Sequence, residues 1–392
     1  MFRPGRNLRR FGAFLVGLLV ASVLVEVGLT RWFPVAGQNY RLDPDLLHDA
    51  LPGSSRLQLM PPGSDHRRVL VQINSSGLRG PEPDPGHRRP RVLLLGDSLV
   101  LAGNSPEEET LRAQLEGLFG GRVEVLNAGR ESYGPDQTLL WFQREGAALA
   151  PELVIMVLCA HNDLGDLMRN KLFELGSDGS LVRRRPALGP SLRMRFVQRA
   201  EAARSPALLR WWRVTMGAHE PSLAVDPDRL VEAWYLAALQ QHEDYISGDA
   251  VVRDLEHDTW DADVALVRDA ASAKDKAALL TAVLVELQGA LQITGSRSLA
   301  LVVPSAVDLD PSYPIRPDSS KWKQYDPARL TARVVAAAEA AGWDVVDLTR
   351  DMHRAGPEGL FVGGEDIHWN ARGQLLAAQV LVPRIESVLK SK

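Results

Sequence analysis

The chain has 392 residues, of which 45% are hydrophobic and 24% are charged; these are globular values that exclude a disordered or fibrous chain. The net charge of −4 gives no electrostatic reason to expect a nucleic-acid partner. The single cysteine, Cys159, excludes an intramolecular disulfide and a thiolate metal cluster.

The N-terminus carries an apolar run at residues 11–25, and with Glu26 tolerated near its end the stretch 11–30 is long enough to cross a bilayer as a helix. Four arginines precede it and only Arg31 closely follows, so the positive-inside rule keeps the N-terminus in the cytoplasm. We predict an uncleaved signal anchor over residues 1–33, which places the remaining chain on the periplasmic side of a cell inner membrane. Cleavage near Ala36, which would release the protein, is the main alternative.

Residues 34–90 are rich in proline and glycine, with one strand-like piece at 69–74 followed by a turn. We interpret them as a stalk that packs on the domain formed by residues 91–392. Within that domain, apolar strands alternate with helices, a pattern typical of a parallel sheet covered on both faces. The predicted strands are 91–95, 123–126, 153–159, 299–303 and 344–348, and the predicted helices are 107–118, 135–149, 328–341 and 371–389.

A long helical insertion is predicted at about 164–296. It contains a basic stretch with Trp211 and Trp212. One interpretation is a set of helices with solvated charged faces. The other is a lid over the site or a patch that lies on an anionic membrane surface.

Four short motifs follow strands or precede the last helix, and a parallel sheet binds its ligand beyond the carboxyl ends of its strands. They are Gly96-Asp97-Ser98-Leu99, Asn127-Ala128-Gly129, His161-Asn162-Asp163 and Asp366-Ile367-His368-Trp369-Asn370.

A serine hydroxyl becomes a nucleophile when a base takes its proton, and Ser98 has the strand-end position that such a serine needs. His368 is the candidate base, and a neighbouring carboxylate would fix its tautomer. Ser98 could instead be a helix N-cap, and His368 a surface-loop histidine. The region has no G-x-S-x-G elbow, which argues against an α/β-hydrolase.

These motifs together resemble the SGNH (GDSL-type) serine hydrolase superfamily, in its N-terminally membrane-anchored bacterial type; the stretch 73–80 is similar to an "INxxGLRG" segment of anchored members. The resemblance implies a three-layer α/β/α, flavodoxin-like fold with a five-stranded, mostly parallel sheet. It also implies an oxyanion hole made by the backbone N–H groups of Ser98 and Gly129 and by the Asn162 side chain. Gly129 could otherwise be an ordinary loop glycine and Asn162 a turn residue.

The orienting acid is ambiguous. Many family members place aspartate three residues before the histidine, where this chain has Glu365, whereas Asp366 matches the D-x-H-W-N pattern of a subset. We favour Asp366 and keep Glu365 as the alternative. Ala160 stands where the third motif of the family usually begins with glycine.

The sequence therefore predicts a membrane-anchored serine esterase that hydrolyses carboxylic O-acyl or O-acetyl esters through an acyl-Ser98 intermediate, with no cofactor and no metal. The expected substrate is an ester of a glycan or lipid; protein partners are not indicated. The alternatives are an O-acyltransferase acting on cell-envelope polysaccharide with the same residues, and a catalytically silent binding or assembly protein of an envelope-polymer system.

Overall fold

The computed structural model describes residues 5–32, 39–60, 68–203, 205–216, 226–248, 251–255 and 259–390. The strands in chain order are β1 (Tyr40–Asp43), β2 (Leu47–Ala50), β3 (Ser55–Leu59), β4 (Arg68–Gln72), β5 (Arg91–Leu95), β6 (Glu124–Asn127), β7 (Leu153–Cys159), β8 (Phe173–Leu175), β9 (Leu181–Arg183), β10 (Ala187–Leu188), β11 (Val251–Val252), β12 (Arg297–Val303), β13 (Val345–Asp347), β14 (Phe361–Gly363) and β15 (Asp366–Trp369).

The α-helices in chain order are α1 (Gly5–Trp32), α2 (Ser98–Leu101), α3 (Leu111–Leu118), α4 (Pro135–Arg144), α5 (Asp163–Asn170), α6 (Pro190–Ala203), α7 (Ala207–Met216), α8 (Pro227–Ile246), α9 (Ala262–Leu266), α10 (Ala271–Thr294), α11 (Ala306–Leu309), α12 (Arg329–Ala340), α13 (Thr349–Ala355) and α14 (Ala371–Lys390). Three short 3₁₀ helices cover Glu107–Glu109, Gly146–Leu149 and Pro357–Gly359.

A five-stranded sheet in the order β13-β12-β7-β5-β6 forms the centre of the domain, and all its neighbouring strands are parallel. The chain leaves β5 to build β6 on one side and returns to build β7 on the other. The strand order therefore reverses at β5, and in open α/β sheets the crevice at such a reversal is where ligands bind. Ser98 begins α2, three residues beyond β5.

Helices cover both faces of this sheet, which confirms the predicted three-layer α/β/α fold. Helices α3 and α14 pack together, while α10 packs against α4 and α12, as the right-handed crossovers of parallel strands require. Helix α10 lies in the stretch predicted as an insertion. It contributes buried Leu280, Val283, Leu284 and Leu287 to the main core and provides the crossover from β7 to β12.

Two predicted helices are shorter in the structure. Residues 107–118 divide into the 3₁₀ helix and α3, because Thr110 has extended backbone angles and its hydroxyl accepts the Ala113 N–H as an N-cap. Residues 135–149 divide after Arg144, where Glu145 leaves helical geometry.

The predicted stalk contains two hairpins rather than one strand. Strand β4 pairs with β3, and Val69 and Val71 on one face of β4 are buried. The pairing of β1 with β2 adds a second, mostly polar hairpin, whose short strands carry no two-residue apolar period to reveal them in the sequence.

Two helices in the described part of the chain are long and apolar enough to cross a bilayer. The stretch Arg10–Thr30 has a mean hydropathy of 2.3 and is not buried, whereas α10 has a mean hydropathy of 1.5 and is one-third buried. Packing in the domain accounts for the apolar residues of α10, and the same length and composition occur in core helices. The cleavage candidate near Ala36 lies outside the described residues.

The β1–β2 hairpin buries His48 against the loop after β6, where its Nε2–H donates to the Glu131 carbonyl at 2.7 Å. Removal from water disfavours the imidazolium and lowers the pKa of His48 to about 4, from an ordinary value of 6.5. Below pH 6.5 the unfolded chain binds a proton at this residue that the folded chain does not. The free energy of unfolding therefore falls as the pH drops from 6.5 towards 4.

Substitution His48→Gln keeps a donor and removes the titration. Between pH 7 and pH 4.5 we expect the free energy of unfolding of the substituted chain to fall by about 2 kcal/mol less than that of the wild type. Urea unfolding at both pH values measures this difference. If the free energy of unfolding had the same pH dependence in the two chains, the pKa of His48 would not be lowered by folding, and the prediction would be wrong.

Candidate active site

The turn after β5 places Ser98 at the start of α2. Gly96 has a φ of +151°, and a Cβ there would lie 2.7 Å from the Val100 side chain and 2.8 Å from the Val157 carbonyl oxygen, so the turn requires glycine. The Asp97 carboxylate accepts the Leu99 N–H at 2.9 Å and caps the helix. Ser98 is 4% exposed and is therefore held in a fixed position.

Ser98, His368 and Asp366 form a line of hydrogen bonds. The distance from Ser98 Oγ to His368 Nε2 is 2.8 Å, and that from His368 Nδ1 to Asp366 Oδ1 is 2.6 Å. An ionised carboxylate only accepts, so the imidazole hydrogen is on Nδ1 and Nε2 accepts the serine hydroxyl proton. This tautomer is the one that can remove a proton from Ser98.

The Asp366 carboxylate is ionised in this arrangement. Burial opposes its ionisation, but attraction to the positive charge that His368 carries when protonated, together with two hydrogen bonds from that residue, outweighs burial and lowers the pKa of Asp366 below its usual range. The second of these bonds comes from the His368 backbone N–H at 2.8 Å. Glu365, the alternative acid, has an exposed side chain, and its backbone carbonyl accepts the Tyr313 hydroxyl at 2.7 Å.

Strand β15, which carries His368, is fastened to the segment that carries Ser98. The Trp369 indole N–H donates to the Leu99 carbonyl at 2.9 Å, and the Asn104 side-chain amide donates to the Trp369 carbonyl at 2.8 Å. Both Trp369 and Asn104 are buried. These two buried hydrogen bonds therefore fix the distance between His368 and Ser98.

Gly129 packs directly on α2. A Cβ at Gly129 would lie 2.1 Å from the Leu101 nitrogen, so any other residue would push the loop off the helix. The Asn127 side chain joins the two elements: its amide donates to the Val100 carbonyl at 2.7 Å, and its oxygen accepts the Gly129 N–H at 2.9 Å. The Gly129 N–H therefore donates within its own loop, and an oxyanion would have to replace Asn127 as its acceptor.

Asn162 follows β7 and belongs to a buried polar chain. Its Nδ2 donates to Asp166 Oδ2 at 3.1 Å, and Asp166 Oδ1 pairs with Arg169 Nη1 at 2.7 Å. Arg169 Nη2 then donates to the Ser132 carbonyl at 2.8 Å. Asp166 and Arg169 thus connect the loop after β7 with the loop after β6, a link that spacing in the sequence does not indicate.

Arg79, in the 73–80 motif, supports the other end of α2. Its guanidinium is buried and donates to the carbonyls of Leu101, Ala102 and Ser105, the last at 2.6 Å, and pairs with Glu107 at 3.1 Å. The last carbonyls of a helix have no partner within the helix, so a cation here satisfies them.

The β3–β4 hairpin also reaches the site. Arg56 pairs with Glu131 at 2.7 Å. Burial opposes ionisation of Glu131, but the charges of Arg56 and His368 outweigh it and lower the pKa of Glu131. Glu131 thus interacts electrostatically with His368, and Arg56 balances its charge. Sequence reasoning missed both residues, because nothing in the stalk marks Arg56 as a neighbour of the loop after β6.

The remaining motif residues serve the loop structure. Asp163 accepts the Cys159 N–H at 2.8 Å, and burial together with the carboxylates of Asp97, Asp166 and Asp261 raises the pKa of Asp163 well above its usual range. Ala160 has no positive φ, so alanine fits where the family usually has glycine. Within the described ranges, no group of three or more His, Cys, Asp or Glu has the geometry to hold a metal ion; His257 and Asp258 are outside them.

Residues 262–391 match a family model described as the SGNH hydrolase-like domain of the acetyltransferase AlgX. This region includes α10, β12, β13, β15 and α14, and therefore contains Asp366 and His368. No curated protein matches the chain.

Similar solved structures include a lipase/acylhydrolase from Enterococcus faecalis (12% identity, TM-score 0.37, covering 77% of this chain and 98% of that one). They also include the acetyl xylan esterase AlAXEase (12% identity, TM-score 0.36, covering 75% of this chain and 99% of that one). A third is a GDSL-like lipase from Bacteroides thetaiotaomicron (11% identity, TM-score 0.33, covering 80% of this chain and 93% of that one). Alignments with TM-scores this low carry no argument about activity.

The family match covers residues 262–391, less than half of the chain, and shows that this region is similar to an SGNH hydrolase-like domain.

Proposed function

We propose that this chain is a serine esterase that cleaves carboxylic O-acyl or O-acetyl esters through an acyl-Ser98 intermediate. The observation that carries the proposal is the line from Ser98 Oγ through His368 to Asp366, with distances of 2.8 and 2.6 Å, at the point where the strand order reverses. A structural serine has no need of an imidazole that is itself oriented by a carboxylate.

In the proposed reaction, His368 Nε2 takes the Ser98 proton as Oγ forms a bond to the ester carbonyl carbon. Asp366 stabilises the imidazolium that results. When the tetrahedral intermediate collapses, the bond to the alcohol oxygen breaks and His368 returns the proton to that oxygen. A water molecule then repeats the sequence on the acyl-serine and releases the acid.

The developing oxyanion needs donors, each worth about 10²–10³ in rate. We assign this role to the Ser98 and Gly129 N–H groups and to the Asn162 side chain. The Asn162 amide nitrogen donates to Asp166 Oδ2 at 3.1 Å, and this bond orients the side chain. For Gly129 to contribute, its N–H must exchange the Asn127 oxygen for the oxyanion.

Acyl transfer to a hydroxyl is a second candidate. It is favoured by the match of residues 262–391 to a domain named for an acetyltransferase. The same residues would act, with a sugar hydroxyl of the cell envelope replacing water in the second step. A silent binding protein is disfavoured by the hydrogen bond between Ser98 and a correctly protonated His368.

We also propose that α1 spans the inner membrane, with the domain on its periplasmic side. The exposed apolar surface of Arg10–Thr30 and the arginines before it support this topology. An ester of an envelope glycan or of a lipid would be accessible to an enzyme in that position.

Labelling with a fluorophosphonate tests the proposed nucleophile without knowledge of the substrate. On the full chain in detergent, peptide mass spectrometry should find the adduct on Ser98. Because the hydroxyl and its base act as a unit, Ser98→Ala and His368→Ala should each abolish it and reduce ester hydrolysis by about 10⁶-fold. A folded wild-type chain that remains unlabelled would support the silent binding protein instead.

The two candidate acids make a matched pair for substitution. Asp366→Asn should lower kcat by about 10³–10⁴-fold, because an amide can donate to Nδ1 and so favours the wrong tautomer of His368. Glu365→Gln, one residue away and exposed, should leave kcat within about twofold of the wild type. The idea that Asp366 orients His368 fails if Glu365→Gln shows the larger loss.

Product analysis separates hydrolysis from transfer. With p-nitrophenyl acetate as donor, the esterase should release the same amount of acetate whether or not an oligosaccharide is present. An oligosaccharide that gains an acetyl group, with no gain in the Ser98→Ala control, would instead establish transfer.

A further inference from the structure

Helix α7 is joined to the apolar helix α1 through Glu26, the single acid of α1. The backbone N–H groups of Ala207 and Leu208 donate to the two Glu26 oxygens at 2.5 and 3.2 Å. A carboxylate in an apolar helix is costly in a bilayer, and the first N–H groups of a second helix are the partners that offset this cost.

The position of Glu26 sets the depth of α7. Glu26 is four residues before the end of the apolar stretch Arg10–Thr30, a distance of about 6 Å along a helix axis. If α1 spans the membrane, α7 therefore begins at the boundary between acyl chains and headgroups, which is where helices that lie on a membrane are found.

The exposed side chains described on α7, which lie within residues 207–212, are apolar. Leu208 is 47% exposed and Trp212 is 55% exposed, and Leu209 beside them is exposed as well. Tryptophan and leucine are the residues that such helices place among lipid headgroups. This face is continuous with the exposed apolar side chains of α1, since the two helices are in contact.

Helix α6 directly precedes α7 in the chain and packs on β1. Leu192 and Phe196 are buried, and the Phe196 ring packs edge-on against Tyr40 of β1 at 5.7 Å. Met194 and Val197 are exposed. Arg193 is exposed among them, and a cation on a membrane-binding surface favours anionic headgroups.

We propose that the exposed faces of α6 and α7 form a membrane-binding surface, here called the interfacial face, that lies on anionic phospholipid beside the end of α1. The proposal rests on the membrane-spanning role proposed above for α1. The β1–β2 hairpin under α6 also holds the loop after β6 through His48 and Glu131, so the interfacial face brings that side of the site close to the bilayer.

Single cysteines test this placement. The full chain carries one native cysteine, Cys159, which is buried and 3% exposed, so the wild type serves as the blank for labelling. Leu208→Cys reports the interfacial face, Leu18→Cys reports α1, and Val285→Cys is the control, an equally exposed apolar position (51%) on α10. Each is labelled with nitrobenzoxadiazole and reconstituted in phosphatidylcholine–phosphatidylglycerol vesicles.

Quenching by spin-labelled lipids and by aqueous iodide then locates each label. We expect the label at Leu208→Cys to be quenched at least threefold more by 5-doxyl than by 12-doxyl lipid. The label at Leu18→Cys should show the reverse order. The label at Val285→Cys should be quenched by iodide alone. Leu208→Cys behaving like Val285→Cys while Leu18→Cys is quenched by lipid would overturn the interfacial face and leave the anchor standing.

Two further outcomes also decide the question. A label at Leu18→Cys that no lipid quenches would refute the proposed anchor and the interfacial face together, without bearing on the ester chemistry. A label at Leu208→Cys that is shielded from both lipid and iodide would mean that protein, such as a second copy of this chain, covers α7, and the proposal would be wrong.

Discussion

The buried guanidinium of Arg79 supports the helix that begins with Ser98, and the position of Ser98 depends on it. A charge removed from water is costly unless hydrogen bonds and an opposite charge compensate for it. Here the carbonyls that close α2 and the carboxylate of Glu107 supply that compensation. Loss of Arg79 would leave several buried carbonyls without a donor, so the segment before β5 is part of the site's support rather than a passive linker.

A second buried arginine has the same role between the loops. Asp166 and Arg169 connect the Asn162 side chain to the Ser132 carbonyl, and all four residues are buried. The proposed oxyanion donors come from loops after different strands, and their spacing matters because preorganised donors stabilise charge without moving. An ion pair is suited to this position, since its two planar groups have fixed hydrogen-bond directions.

The sequence predicts the central sheet well because its strands are continuous apolar runs between turns; β7 coincides with the predicted residues 153–159. The motifs also locate Ser98 and His368, because one motif directly follows a predicted strand and the other directly precedes the last predicted helix. The residues that brace them were not predictable. Arg79, Arg169 and Arg56 reach partners in other segments of the chain, and the periodicity of an arginine's own helix or strand does not indicate which distant segment it meets.

The choice between Glu365 and Asp366 as the acid that orients His368 could not be made from the sequence either. Glu365 and Asp366 are adjacent in the sequence, and a resemblance could only rank them. In the structure the hairpin of β14 and β15 turns the Asp366 carboxylate towards the backbone N–H and the Nδ1–H of His368 and leaves the Glu365 side chain exposed. Asp366 and His368 are two residues apart on β15 and so share one face of the strand, whereas Glu365 belongs to the turn before it.

The contact between Ser98 and His368 joins residues 270 positions apart, and so does the bond from Trp369 to the Leu99 carbonyl. Contacts of such long range form late in folding, because the intervening chain must first be closed into a loop. During synthesis the serine segment emerges well before its base. A nascent chain therefore holds Ser98 without its hydrogen-bond partner His368 until the histidine segment has been made and has docked.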